Sequence, residues 1–229
     1  MNRTYTFLKK NIEWICLLMI LFSFTSPLLF TRKWTNISFL ETGQIGDTIG
    51  GLVSPFLNLL SIILLYLTLR EQTEGTRKTK DFDTITKMLD STKQDFENLN
   101  FFPTKGSFDS YKGTRALFGM ANTIKSCNDI STCLDDSSLR SFQLSFTLFI
   151  SNLTKTLQKN FNSSIDLEDK KDFYQTLLYY KTPIIMICDL CVDYYNRKSP
   201  NINEIDKTIG LLAAVKPALE NEYKKFAPK

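Results

Sequence analysis

A glycine-rich run that leads into a long apolar segment constrains this chain more than any other stretch. The run GQIGDTIGG occupies residues 43–51, and residues 52–69 that follow are mostly Leu, Ile, Val and Phe. About 20 such residues are enough for a helix to cross the ~30 Å hydrocarbon core of a bilayer. The sequence therefore predicts a transmembrane helix over about residues 48–69, with glycines at its start.

Small and polar residues recur along one face of this predicted helix. Steps of four and three separate most of them, which is the spacing of one helix face. A ladder of small residues four positions apart also lets two helix backbones approach closely. The candidate residues for membrane assembly or path lining are Gly46, Asp47, Gly50, Gly51, Ser54, Asn58 and Ser61, with Leu65 and Thr68 completing the stripe.

Two interpretations of this stripe stay open at the level of sequence. In the first, small residues only pack against a neighbouring helix, and Asn58 forms a hydrogen bond across the contact. In the second, several copies assemble and the stripe lines a polar path, because polar and ionisable groups inside a membrane are costly and usually functional.

A first span is predicted over residues 11–30, which are rich in Ile, Leu, Met and Phe. Trp14 and Trp34 bracket it, and as a helix they would stand about 30 Å apart, the spacing of two interfacial belts. A cleavable signal peptide is the alternative, but Pro27 to Phe30 lack a small-x-small cleavage site. We therefore expect residues 1–75 to form a two-helix transmembrane hairpin.

Basic residues predict the orientation of the hairpin. Arg3, Lys9 and Lys10 precede the first span, whereas the connecting loop carries Arg32 and Lys33. Four more basic residues follow the second span, at positions 70, 77, 78 and 80. The positive-inside rule then places both termini in the cytoplasm.

Residues 43–72 also resemble a known family. The run GQIGDTIGG, the SPF at 54–56 and the LTLREQ at 67–72 are similar to a bacterial two-span family of phage abortive infection proteins, with a weaker echo in the YKGTRA at 111–116. Similar proteins serve as transmembrane effectors of retron defence systems. The resemblance implies a bacterial inner-membrane protein in antiphage defence. Its partner would be a cytosolic protein or ribonucleoprotein, a reverse transcriptase with its RNA and DNA in a retron.

The remainder, residues 76–229, predicts an all-α domain. Helical spacing indicates a stalk that continues the second span to about Leu99, where Phe101-Phe102-Pro103 end it, followed by a loop over 103–110. Further helices are predicted over 111–125, 138–159 and 167–181, the last with Asp166 as its N-cap. Residues 183–195 should continue after a kink, and a final helix should begin near 203, with Pro217 kinking or restarting it.

The composition excludes several kinds of chemistry. The 229 residues include no histidine, which removes Ser-His and Cys-His catalysis and His-ligated metals. The only glycine-dense segment lacks the Lys-Ser/Thr ending of a phosphate-binding loop. We therefore expect neither an enzyme nor a cofactor.

Cysteines offer the remaining metal or redox hypothesis. Cys188 and Cys191 form a C-x-x-C inside an apolar run, and Cys127 and Cys133 supply two more thiols. A four-thiolate zinc site and a redox pair are both conceivable, but buried core cysteines are common. In a reducing cytoplasm no structural disulfide is expected.

Two charged clusters each allow two interpretations. Acidic residues cluster at 135–136 and 166–172, and we interpret them as solvated helix starts rather than a metal site, because acids stabilise helix N-termini. The second cluster comprises Tyr111, Lys112, Arg115 and Lys125, and we interpret it as a solvated helix face rather than a contact surface for an anionic partner such as RNA.

Two functional hypotheses follow. The first is a membrane-acting effector whose cytosolic domain is restrained by a partner and whose release lets the spans self-assemble and permeabilise the bilayer. The second is a membrane-anchored scaffold or sensor that only localises a partner.

Overall fold

The structure is a computed structural model that describes residues 11, 14–15, 17–22, 25, 45–103, 109–127, 129–197 and 204–227. Side chains at 45–49, 52–53 and 204–206 lie outside that description. The chain divides into two compact units, Met1–Thr76 and Arg77–Lys229.

Helices dominate the described residues, as predicted. Helix α1 is the longest element, with 53 residues from Ile45 to Glu97, and it contributes to both units. The others belong to the second unit. They are α2 (Thr114–Ser126), α3 (Ile130–Cys133), α4 (Asp136–Asn162), α5 (Leu167–Arg197) and α6 (Glu204–Lys225).

A minimal β-hairpin is the exception to the all-α prediction. Strands β1 (Asn100–Phe101) and β2 (Tyr111–Lys112) pair antiparallel, with Asn100 opposite Lys112 and Phe101 opposite Tyr111. The prediction of a helix from Tyr111 was therefore wrong by three residues. Helix α2 begins only at Thr114 because the preceding Gly113 has φ 54°, a left-handed conformation that breaks the helix and favours glycine.

Gly113 also ties the hairpin to the end of α1. Its N–H donates to the Leu99 carbonyl at 2.9 Å. A Cβ at this position would make only ordinary contacts, 3.4 Å from the Glu97 Cα and 3.5 Å from the Phe96 carbonyl oxygen. The positive φ, and not a lack of space, therefore favours glycine here.

The core of the second unit is aromatic at its centre. Phe96 of α1 lies with its ring centroid 5.3 Å from Phe149 of α4 and 5.0 Å from Tyr180 of α5. Phe149 and Tyr180 are 5.6 Å apart in an edge-on arrangement. Such ring pairs contribute about 0.5–1.5 kcal/mol beyond the burial of their area. The C-terminal part of α1 is therefore a core helix of this unit.

Polar side chains fix α1 against α4 as well. The buried hydroxyls of Thr92 and Thr156 lie 3.1 Å apart. The Asp81 carboxylate accepts from Lys159 at 2.6 Å and from both the N–H and the hydroxyl of Ser164, at 2.8 and 2.7 Å. The Lys159 hydrogen bond, followed by those from Ser164, holds the pKa of Asp81 well below its ordinary value.

The last two helices are simpler than predicted. Helix α5 runs through Pro183 to Arg197, so the two segments predicted on either side of that proline form one helix. Helix α6 likewise continues through Pro217. The Tyr223 hydroxyl donates to the Leu177 carbonyl at 2.7 Å, and the Tyr174 hydroxyl donates to the Tyr223 carbonyl at 3.0 Å. These two bonds join α6 to α5.

Candidate functional site

The apolar part of α1 exposes its hydrophobic side chains. Among the described residues, one helical stretch, Ser54–Glu97, is long and apolar enough in part to cross a membrane. Only 6% of its most apolar window is buried, in contrast to the C-terminal part of the same helix, which lies in the core of the second unit. Ile62, Leu65 and Leu69 are each more than half exposed. Such a surface matches hydrocarbon better than water.

The predicted stripe lies on this exposed surface. Gly50, Gly51, Ser54, Asn58 and Ser61 are all exposed, and a Cβ added at either glycine would meet nothing within 4 Å. Gly46 and Asp47 belong to the same helix, but the Asp47 side chain lies outside the described part. The described side chains therefore present an open face, which we call the small-residue stripe.

Two hydroxyl groups on the stripe are satisfied within the helix. The Ser61 hydroxyl donates to the Leu57 carbonyl at 2.9 Å, and the Thr68 hydroxyl donates to the Leu64 carbonyl at 2.9 Å. These bonds leave neither of the two hydroxyl protons exposed to hydrocarbon.

Asn58 differs from these hydroxyl residues. Its carboxamide carries two N–H donors and an acceptor oxygen, and it has no hydrogen-bond partner in the described part of the chain. In hydrocarbon such a group is costly unless another molecule supplies the partner. Among the stripe side chains in the described part, Asn58 therefore has the most hydrogen-bonding groups without a partner.

The predicted first span is described only in part. Those of residues 11–25 that are described are helical. The Phe22 ring lies 5.1 Å from Phe56 of α1, and Leu18 and Met19 line an apolar crevice with Leu59. Trp14 is 68% exposed. The rest of the predicted first span, and the loop with Trp34, lie outside the described residues.

The four cysteines of the second unit separate into two pairs. Cys127 and Cys133 form a disulfide, so the expectation of no disulfide was wrong for this pair. The short helix α3 turns the chain back and leaves their Cα atoms 6.6 Å apart, within the range that a disulfide spans.

Cys188 and Cys191 are free and buried in α5. Burial, reinforced by the Asp189 carboxylate, raises the pKa of Cys188 to about 12, and burial also raises the pKa of Cys191. Neither thiol ionises near neutral pH, which makes them core residues and poor metal ligands or nucleophiles. The described side chains include no group of three residues suited to hold a metal ion.

The acidic clusters lie at helix starts, as predicted. Asp136 is in the first turn of α4 and pairs with Arg140 at 2.9 Å. Asp166 immediately precedes α5, accepts from the Lys170 N–H through its carbonyl, and pairs with Lys78 at 2.5 Å.

A basic groove joins residues that the sequence kept apart. A groove of about 430 Å³ is lined by Lys112 and Arg115, together with Lys93 and Tyr179. Lys125, in the last turn of α2, does not line it. Lys93 and Tyr179 carry no local motif, and only the packing of α1 and α5 brings them here. We call this surface, formed by Lys93, Glu97, Lys112, Arg115, Tyr179 and Tyr180, the basic groove.

No known protein family, curated protein or solved structure matches this chain significantly. Function must therefore be argued from the surfaces themselves.

Proposed function

We propose that this protein is a two-span membrane effector of bacterial antiphage defence, restrained by a partner in the cell. On release, copies self-associate through the small-residue stripe and make the inner membrane permeable to ions. The resemblance of residues 43–72 to abortive infection and retron effectors supports the defence context.

The exposed carboxamide of Asn58 carries the proposal. Within the described chain it has no partner, while Gly50, Gly51 and Ser54 beside it leave the helix surface open. A second copy of the same face would let backbones approach at the glycines and let Asn58 bond across the contact. Water in a path between several copies would satisfy Asn58 equally well.

The test is membrane potential, measured with a dye in cells that express the full chain. Wild type should depolarise the membrane, and Gly50→Leu should prevent this by blocking close approach. Asp47→Asn keeps the shape, so it should leave crosslinking between copies normal and change ion selectivity. Leu59→Phe is the matched control, because it adds bulk on the opposite face of the helix.

Two results would contradict the proposed pore. Wild-type cells that stop growing while fully polarised contradict permeabilisation. Equal crosslinking in wild type and Gly50→Leu contradicts assembly through the stripe.

The alternative function is a membrane-anchored scaffold or sensor that localises a cytosolic partner. The internal bonds of Ser61 and Thr68 favour it, because a stripe with satisfied hydroxyls needs no water beside it. A scaffold predicts crosslinking without depolarisation, and Asp47→Asn without effect.

Topology gives an independent test. We propose cytoplasmic termini, from the basic residues that flank the spans. Reporters fused after residue 229 and within residues 35–38 should then report opposite sides. The Cys127–Cys133 disulfide bears on the same question, because disulfides persist in oxidising compartments. Maleimide labelling before lysis tests whether the two cysteines are linked in the cell. Cysteines that resist labelling, together with a periplasmic reporter after residue 229, would contradict the proposed topology.

A further inference from the structure

Three cationic side chains from three elements meet at the basic groove. Lys93 comes from α1, Lys112 from β2 and Arg115 from the first turn of α2. All three are exposed, and none forms an ion pair within the described part of the chain. Glu97 is the one acid lining the groove, so the lining carries a net positive charge. Unpaired cations converging on one concave surface favour an anionic ligand.

Backbone donors add to these charges. Helix α2 begins in the groove with no side-chain cap. The Gly113 carbonyl accepts from Ala116 and Leu117, and the N–H groups of Thr114 and Arg115 have no acceptor among the described residues. A helix N-terminus with open N–H groups next to Lys112 and Arg115 suits a phosphate, which accepts from both kinds of donor.

Aromatic surface occupies the other side of the groove. Tyr179 is 70% exposed and stands edge-on to the buried Tyr180, with ring centroids 5.5 Å apart. An exposed ring held in place by a buried one offers a flat apolar face for stacking. Glu97 also lines the groove, and its carboxylate accepts hydrogen bonds from amino and hydroxyl groups.

We propose that the basic groove binds a nucleotide, either a free nucleoside phosphate or a nucleotide within a single strand of nucleic acid. The phosphate lies against Lys112, Arg115 and the start of α2, with Lys93 completing the positive charge. The base stacks on Tyr179, and Glu97 accepts from an amino group of the base or a hydroxyl of the sugar. This site belongs to the second unit and does not depend on the membrane function proposed above.

The experiment measures binding to the full chain in detergent by fluorescence polarisation. The probe is a labelled single strand of about ten nucleotides, within the site sizes of single-strand-binding folds. Binding should weaken with salt, with a slope of about −2 in log–log form for three phosphate contacts. Arg115→Glu and Tyr179→Ala should each weaken it about tenfold or more. Unlabelled ATP that displaces the strand identifies a free nucleotide as a ligand, and failure to displace it identifies the strand.

Matched variants distinguish the groove from the general charge of the protein. Lys125→Glu makes the same type of charge change on the same helix outside the groove, and Tyr195→Ala removes another partly exposed tyrosine of α5. Both should leave affinity unchanged, and thermal melting should show that all four variants are folded.

Three results would overturn the proposal. The first is the absence of binding by both the strand and ATP, and the second is equal weakening in groove and control variants. The third is displacement of the strand by inorganic pyrophosphate as strongly as by ATP, with Tyr179→Ala unchanged. That result would describe a simple anion patch without recognition of a base.

Discussion

Polar side chains of helix α1 lie in different environments in the two units of the molecule. In the second unit, Thr92 is buried against Thr156, and Asp81 has three hydrogen bonds from Lys159 and Ser164. In the first unit, Asn58 is exposed and has no partner among the described residues. The second-unit half of the helix therefore bonds its polar groups to other elements, whereas the first-unit half leaves Asn58 without a partner among the described residues.

Apolar residues show the same contrast. Phe96 is 6% exposed and contacts two other rings, while Phe56, on the same helix, is 39% exposed. Burial of the first stabilises the fold, and exposure of the second is stable only in an apolar solvent. The comparison teaches that similar residues on one helix are core residues in one unit and surface residues of a candidate membrane span in the other.

The largest expected effect is on the free energy of unfolding, when a phenylalanine is removed from one unit or the other. Phe149→Ala removes a ring with no solvent exposure and should lower the free energy of unfolding of the second unit by about 3–5 kcal/mol. Phe56→Ala, the control, should leave it unchanged. Proteolysis of the full chain across a urea series measures both, and an equal loss in the two variants would contradict the division into units.

Next in size is the loss of the Asp81 carboxylate. Asp81→Ala leaves the Lys159 ammonium and the Ser164 N–H without their acceptor, which should lower the free energy of unfolding by about 2 kcal/mol. Asp83→Ala, an exposed acid two residues later on the same helix, is the control and should have little effect.

The pH dependence of this effect follows from the lowered pKa of Asp81 in the folded chain. The stabilisation is complete above the unfolded pKa of about 3.9 and is lost progressively as the pH falls below it. The difference between wild type and Asp81→Ala should therefore shrink in acid. A difference that stays constant from neutral to strongly acidic pH would show that the carboxylate charge does not matter.

The smallest expected effect concerns the first unit. Asn58→Leu should weaken association between copies in lipid by about 1 kcal/mol, the scale of one interhelical hydrogen bond. Ser61→Ala should leave association unchanged, because the Ser61 hydroxyl already bonds to its own helix. Energy transfer between labelled copies in vesicles measures both. Equal weakening by the two variants would show that packing, and not the carboxamide, matters.

Local patterns in the sequence predicted the helices well, because apolar spacing reports which face is buried. The spacing of Phe142, Phe146, Phe149 and Leu153 indicated α4, and all four are buried. Tyr111 was misplaced because it pairs with Phe101 in the hairpin, and the positive φ of Gly113 delays the helix to Thr114. The disulfide was missed because the expectation rested on a reducing cytoplasm, whereas the turn at α3 brings Cys127 and Cys133 together.

The two candidate sites differ in the same respect. The small-residue stripe lies on one helix, so the spacing of its residues could be recognised in the sequence. The basic groove combines Lys93, Lys112 and Tyr179, which are distant in the chain and meet only through packing. Pattern reasoning finds sites within one element, and sites between elements need the fold.

Gly113 has a consequence for how this protein can vary. It forms part of the groove lining, where its positive φ is a conformation that residues with a side chain rarely adopt. The exposed rim residues, Lys112, Arg115 and Tyr179, face no such restriction. Mutation can therefore replace Lys112, Arg115 or Tyr179 one at a time while position 113 stays glycine. A lineage of such proteins could change what the groove recognises without having to refold around it.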